Sequence, residues 1–193
     1  MEYPADLELD APLEVARWRP LVHWLLGIPH LMIAGVLGNV AGVISLVSWF
    51  VIVFTGRLPE GLANFQCMVM RYSARTYSYV LWLREPYPVF DFTMTPEDPG
   101  GDPVVVVIRP QLENRNRLTV GLRFLWIIPI ALFTALVGLA AFFVAIAAFF
   151  AVLFTGRWPE GMRRFIVNTG RLGTRLSAYS YLLVDDYPPF ALT

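Results

Sequence analysis

Leu21–Phe54 reads LVHWLLGIPHLMIAGVLGNVAGVISLVSWFVIVF, and it contains neither an acidic residue nor an arginine. Phe124–Phe154, FLWIIPIALFTALVGLAAFFVAIAAFFAVLF, is a second block of the same kind. Runs of eighteen or more apolar residues suit a bilayer, because about 20 helical residues cross a hydrocarbon core of about 30 Å. A helix of a soluble domain keeps a polar face toward water, and these blocks have none. The composition agrees: 56% of the 193 residues are hydrophobic and 16% charged, where soluble domains hold about 45–50% and about 25%. Mean hydropathy is +0.56. The expectation is an integral membrane protein. The first block follows the acidic stretch Met1–Asp10 and exceeds a signal-peptide core in length, so it does not read as a secretory signal.

Searching outward from the blocks reveals an internal repeat. Phe54-Thr-Gly-Arg-Leu-Pro-Glu-Gly61 returns as Phe154-Thr-Gly-Arg-Trp-Pro-Glu-Gly161, an offset of 154 − 54 = 100. The same offset relates Arg17 to Arg117, Pro29 to Pro129, Phe65 to Phe165, Arg71 to Arg171, Arg75 to Arg175 and Tyr79 to Tyr179. The chain therefore divides into a first repeat over 1–93, a linker over 94–102 rich in Pro, Gly and Asp, and a second repeat over 103–193. Each repeat opens with a strand-like run, Ala5–Leu9 or Val104–Ile108. Those runs pair with each other or with Val89–Thr93. An arginine cluster follows, then the apolar block (21–54 or 124–154). A Gly-Arg-x-Pro-Glu-Gly corner and a helix (59–84 or 159–183) close the repeat.

The 34 residues of the first block would make a single helix of about 51 Å, too long for a 30 Å core at a tilt within about 40°. The favoured reading is a helical hairpin in each block, turning near Gly38-Asn39 and near Gly138, which returns all fifteen arginines to one side. In the other reading the chain up to Pro29 lies along the interface and only about 30–54 spans; re-entrant hairpins fit equally. The fold expected is thus an all-α membrane protein of two tandem repeats. Each is a transmembrane hairpin plus an amphipathic interfacial helix, with short β-strands at its start.

Gly56 and Gly156 suit a left-handed helix end; Pro59 and Pro159 suit the first turn of the next helix. Glu60 and Glu160 then sit at its positive end, within reach of Arg57 and Arg157. This is a fixed helix corner before it is a site. In the following helices Asn64, Arg71 and Arg75, and Arg164, Asn168, Arg171 and Arg175, recur at spacings of three and four and share one face. Such a stripe faces either lipid phosphates or the protein's own carboxylates (Glu60, Glu85, Asp185, Asp186): Arg57, Arg71, Arg75, Arg157, Arg164, Arg171 and Arg175 are the contact candidates for membrane lipid, anionic lipid included, or for a partner. His23 and His30 lie seven apart with no carboxylate or cysteine nearby, so they read as packing or interfacial residues. Cys67 is the lone cysteine. No nucleophile elbow, metal-protease, Walker or dinucleotide motif is present, so no catalytic residue, metal or cofactor is assigned, and no nucleic-acid partner is expected.

Arg17-Trp-Arg-Pro-Leu-Val-His-Trp-Leu-Leu-Gly-Ile-Pro-His30, the Trp49–Gly61 segment and Tyr187-Pro-Pro-Phe190 resemble the bacterial membrane family called domain of unknown function 4389, present as two copies. Ile130 departs from the pattern, which has histidine there. The resemblance implies a bacterial inner-membrane location, with multiple passes and cytoplasmic termini, and brings no activity. The functional expectation is a non-enzymatic protein that organises lipid, a membrane partner or a second copy of itself at the cytoplasmic face. The alternatives are a small transporter or channel of two parallel repeats, and a lipid-modifying enzyme with Glu60 and Glu160 as acids.

Overall fold

The computed structural model describes residues 3–192; positions 1, 2 and 193, the outer bounds of the two expected repeats, lie outside them. Strand β1 is Ala5–Leu9 and helix α1 is Arg19–Leu26. Helices α2 (Ile28–Thr55) and α3 (Glu60–Val80) complete the first repeat. Strand β2 (Val104–Ile108) is followed by α4 (Arg117–Gly121), α5 (Arg123–Thr155) and α6 (Glu160–Ser180). The architecture is mostly helical and twofold repeated, and α2 and α5 are long and apolar enough to cross a membrane.

The expected hairpins are not formed. Neither block turns at its middle: Asn39 turns its amide back onto the Gly35 carbonyl at 2.8 Å, and neither Gly38 nor Gly138 takes a positive φ. The break falls earlier, at Gly27 between α1 and α2. A Cβ there would lie 2.5 Å from Val80 Cγ2, so only glycine lets this joint sit against the end of α3. With α1 split off, α2 has 28 residues, about 42 Å at 1.5 Å per residue. That length needs a tilt of about 44° to span a core of about 30 Å, close to the upper end of the usual range.

β1 and β2 pair antiparallel, Ala5 opposite Ile108 and Leu9 opposite Val104. Under the offset of 100 the pair Ala5–Ile108 becomes Glu8–Val105, also a pair in this ladder. A pseudo-twofold axis therefore passes through the sheet. Backbone contacts elsewhere obey it: Arg115 N–H donates to Gly56 O at 3.2 Å, and Val15 N–H donates to Gly156 O at 2.9 Å. The segment leading into each apolar block thus grips the corner of the other repeat. Since α2 ends beside the start of α5, and α5 ends beside the approach to α1, the long helices run in opposite directions. The two copies are inverted rather than parallel, and the corners at Gly56 and Gly156 sit at opposite ends of the molecule, not on one side.

α3 lies along α2, α6 lies along α5, and α3 and α6 meet near the axis. β1 rests on α6 and β2 on α3, each strand crossing to the other repeat. α2 buries a narrow stripe, Ala34, Ala41 and Ser48 at sevenfold spacing with His30 and Ile52. Small residues there let α3 approach closely. Around the rest of α2 and α5 apolar side chains stand exposed. Only 17% of the most apolar stretch of each is buried, so most of the apolar surface of these two helices is left uncovered by the rest of the chain.

α3 ends at Val80, not at 84, and α6 at Ser180, not at 183. Trp82 (φ 46°) and Leu182 (φ 62°) take the left-handed conformation, and the N–H groups of Leu83 and Leu183 donate back to Ser78 and Ala178. Helices usually use glycine for this cap, so the sequence carries no stop signal here. Trp82 is held by stacking on Trp158, with ring centroids 5.9 Å apart.

Candidate functional site

At the corner, Gly56 and Gly156 adopt φ of 72° and 73°, and each N–H closes its helix on Ile52 O or Val152 O. Thr55 and Thr155 hydroxyls accept from the N–H of Arg57 and Arg157, both at 3.2 Å. Pro59 and Pro159 stand just before the next helix in extended conformation, with Glu60 and Glu160 in its first turn. Arg57 and Glu60 form no ion pair among the described residues. Arg157 reaches Glu14 of the first repeat at 3.8 Å, an exposed pair of the kind that contributes little. Two arginines that sequence reasoning passed over complete the corners: Arg117 lies over Gly56 and Arg17 over Gly156. Both are exposed. Their identity across the repeat was the available signal.

The arginine stripe faces inward. Arg71 is buried and donates to the carbonyls of Thr93, Thr95 and Glu97. Arg75 is buried and bridges Asp91 at 3.0 Å and Asp98 at 2.8 Å; Arg84 bridges Asp102. The Thr93 hydroxyl and N–H, with Arg75, hold the Asp91 carboxyl below its ordinary range. In the second copy Arg171 donates to Leu7 O at 2.8 Å and Arg175 reaches Asp6 at 3.5 Å. These side chains fasten the linker and β1 to the helices, so α3 is an enclosed helix and not a strip lying at the interface. The reason is nonlocal: helical spacing fixes which residues share a face, while the chain that covers that face arrives from elsewhere. Of the seven candidates, Arg57, Arg157 and Arg164 are exposed.

Along the α2–α3 seam the first repeat is polar where the second is not. His30 Nδ1 lies 2.8 Å from the Tyr72 hydroxyl and stacks on Phe90; the second copy has Ile130 and Leu172 in those places. Gln66 donates to Ser45 at 3.1 Å, and Ser48 is buried beside them; the second copy has Ile166, Ala145 and Ala148. His23 Nδ1 meets Tyr79 O at 3.0 Å and its ring stacks on Tyr79 at 4.1 Å. Arg123 repeats both contacts, donating to Tyr179 O at 3.1 Å with its guanidinium 3.8 Å from the ring. Burial, followed by the nearby Arg19 charge, lowers the His23 pKa against the pull of the Tyr79 carbonyl. Arg115 and Arg123 share Asp185 at 2.6 and 2.8 Å. Burial alone would raise that carboxyl, but the Arg115 hydrogen bond and charge hold it below its usual range.

A cavity of about 480 Å³ opens between α3 and α6. Leu7 and Leu9 of β1 close one side and Gly138, Ala141, Phe142 and Ala145 of α5 another. The equivalent α2 side is filled, because Met68 and Tyr181 pack with Ala41 there. Among the described residues, no three His, Cys, Asp or Glu gather in a way that could hold a metal.

These features define a twofold, inverted helical repeat with two exposed apolar helices. The family model for a domain of unknown function, DUF4389, matches residues 17–91 and again 117–191. The chain belongs to that family, as two tandem copies. No curated protein and no solved structure matches it.

Proposed function

We propose that the protein is an integral protein of the plasma membrane that carries out no reaction and gathers anionic lipid at its two ends. One observation carries this reading. α2 and α5 expose Met32, Val36, Val43, Phe54, Leu132, Phe142, Phe143 and Phe154 on all sides but one, a surface far larger than the apolar patches water-soluble proteins tolerate. Lipid satisfies it. Trp24 and Trp126, exposed near the starts of the two long helices, fit the aromatic belts found at headgroup depth.

The exposed arginines then lie where phosphates are. Arg57 and Arg117 mark one end, Arg17 and Arg157 the other, and a guanidinium presents the planar fork that matches phosphate. The internal stripe is excluded from this role because its partners are already in place. Native mass spectrometry of protein released from vesicles of phosphatidylglycerol and phosphatidylcholine tests the reading. Changing Arg17, Arg57, Arg117 and Arg157 together to Gln is expected to abolish selective retention of phosphatidylglycerol. Equal retention by both proteins counts against it.

A transporter reading draws on the inversion itself, since inverted repeats about an axis in the membrane plane are a transporter architecture. Flux of a small polar solute into protein-loaded liposomes, lost on changing Gln66 and Ser48 in the polar seam, would favour it.

A further inference from the structure

We propose that the cavity between α3 and α6 binds an uncharged, long-chain lipid carrying a carbonyl oxygen, of the diacylglycerol kind. The inference rests on the membrane reading above, and adds a ligand to a site which that reading does not use.

The space is real. A Cβ built on Gly173, or on Gly138 across the cavity, meets nothing within 4 Å. Its walls are dominated by apolar and small residues, and among the described residues no charged or imidazole side chain lines it. An ionic headgroup would therefore lose its hydration with nothing in return, which excludes phospholipid phosphates from the interior. Its depth argues the same way. Gly138, Ala141, Phe142 and Ala145 occupy the middle of α5 (Arg123–Thr155), so in a bilayer the opening beside Phe142 faces hydrocarbon chains rather than headgroups.

The hydroxyls refine the ligand. Ser78, Thr169 and Thr174 spend their protons on carbonyls one turn back in their own helices. Among the described residues Ser73 on α3 and Ser177 on α6 make no such bond, nor do the phenols of Tyr77 and Tyr181. Two free hydroxyls on facing helices, Ser73 and Ser177, with the phenols of Tyr77 and Tyr181 near them, thus line a largely apolar cavity of a size that takes a ligand. A pure hydrocarbon leaves them unmet. An ester carbonyl accepts from them, and a glycerol diester brings two.

The test uses full-length protein in phosphatidylcholine vesicles. Three probes with the same diazirine-bearing chain are compared: a diacylglycerol, a phosphatidylcholine and an alkane. The diacylglycerol is expected to label peptides containing Ser73–Ser78 and Gly173–Ser177. Gly173→Leu, which fills the cavity and favours the helix, is expected to cut that labelling about ten-fold or more, equivalent to the loss of a single well-packed contact. Ser73→Ala with Ser177→Ala is expected to cut diacylglycerol labelling about twenty-five-fold, the scale of two lost hydrogen bonds at about five-fold each, and to leave alkane labelling unchanged. Labelling confined to the outer faces of α2 and α5, or indifference to Gly173→Leu, overturns the site. Equal labelling by the phosphatidylcholine probe, or indifference to the serine changes, overturns the ligand assignment. Failure of the membrane reading shows separately, as protein that leaves the vesicles without detergent.

Discussion

Gly56 and Gly156 have the same conformation but different neighbours, and that difference sets a measurable contrast. A side chain in the left-handed region costs about 1–2 kcal/mol, so alanine at either position lowers stability. At Gly56 the new Cβ would also lie 3.0 Å from Arg117 Nε, whereas at Gly156 the nearest atom, Arg17 Cγ, is 3.4 Å away. Gly56→Ala is expected to lower the thermal midpoint in detergent more than Gly156→Ala does; equal shifts would show that Arg117 yields freely. The His30–Tyr72 pair gives a second residue-scale prediction. Tyr72→Phe removes the partner of a fully buried imidazole nitrogen, at a cost of about 1–3 kcal/mol. His30→Ile with Tyr72→Leu installs the apolar pair of the second repeat and is expected to recover most of that loss. A double-mutant cycle measures the coupling, and additive effects would contradict it.

Between elements, the linker is held by charge rather than by apolar contact. Arg75, Asp98 and Asp102 have side chains 7%, 6% and 8% exposed, so Arg75→Gln leaves carboxylates buried beside a neutral amide. Breaking one partner out of such a group costs about 3–5 kcal/mol. The expected result is faster proteolysis within Thr95–Pro103 and a lower thermal midpoint; an unchanged cleavage rate would mean that Arg71 and Arg84 suffice. The same comparison explains what could be read from the chain. The strands were legible because a β-branched run such as Val104–Ile108 decides its own conformation. So was the corner, whose chemistry (Gly56, Pro59, Glu60) is local. The joint at Gly27 was legible only as the alternative break near Pro29, since what fixes it is Val80, fifty-three residues away (80 − 27 = 53). An inward turn of Arg71 and Arg75 stood among the readings, but its partners were hidden for the same reason: Thr93, Asp98 and Asp102 reach them only after the chain doubles back. The cavity left no signal in the sequence beyond a scatter of small residues, because Ser73 and Gly173 face each other across the axis only in the folded protein.

At the scale of the molecule, inversion and charge together decide how the chain sits in a membrane. Arg57, Arg109, Arg115, Arg117 and Arg123 lie toward the end where α2 finishes and α5 begins; Arg17, Arg19, Arg84, Arg157, Arg163 and Arg164 lie toward the other. The remaining four, Arg71, Arg75, Arg171 and Arg175, are committed to internal contacts between the ends. Orientation of a membrane protein follows the excess of cations flanking its spans, and five against six is almost no excess. The expected outcome is insertion in both orientations. Gly61→Cys and Gly161→Cys provide reporters at opposite ends without altering charge, each at an exposed position where a Cβ meets nothing within 4 Å; the native Cys67 is fully buried and stays silent. A membrane-impermeant maleimide applied to intact cells should modify roughly half of each reporter, by the near balance of cations. Full modification of one and none of the other would establish a single orientation while preserving the inverted fold. Full modification of both would put the two corners in one compartment and exclude a crossing by either long helix alone. Adding cations at one end, as in Glu60→Lys with Glu113→Lys, should then draw most of the population into one orientation, because nothing but that small difference opposes the change.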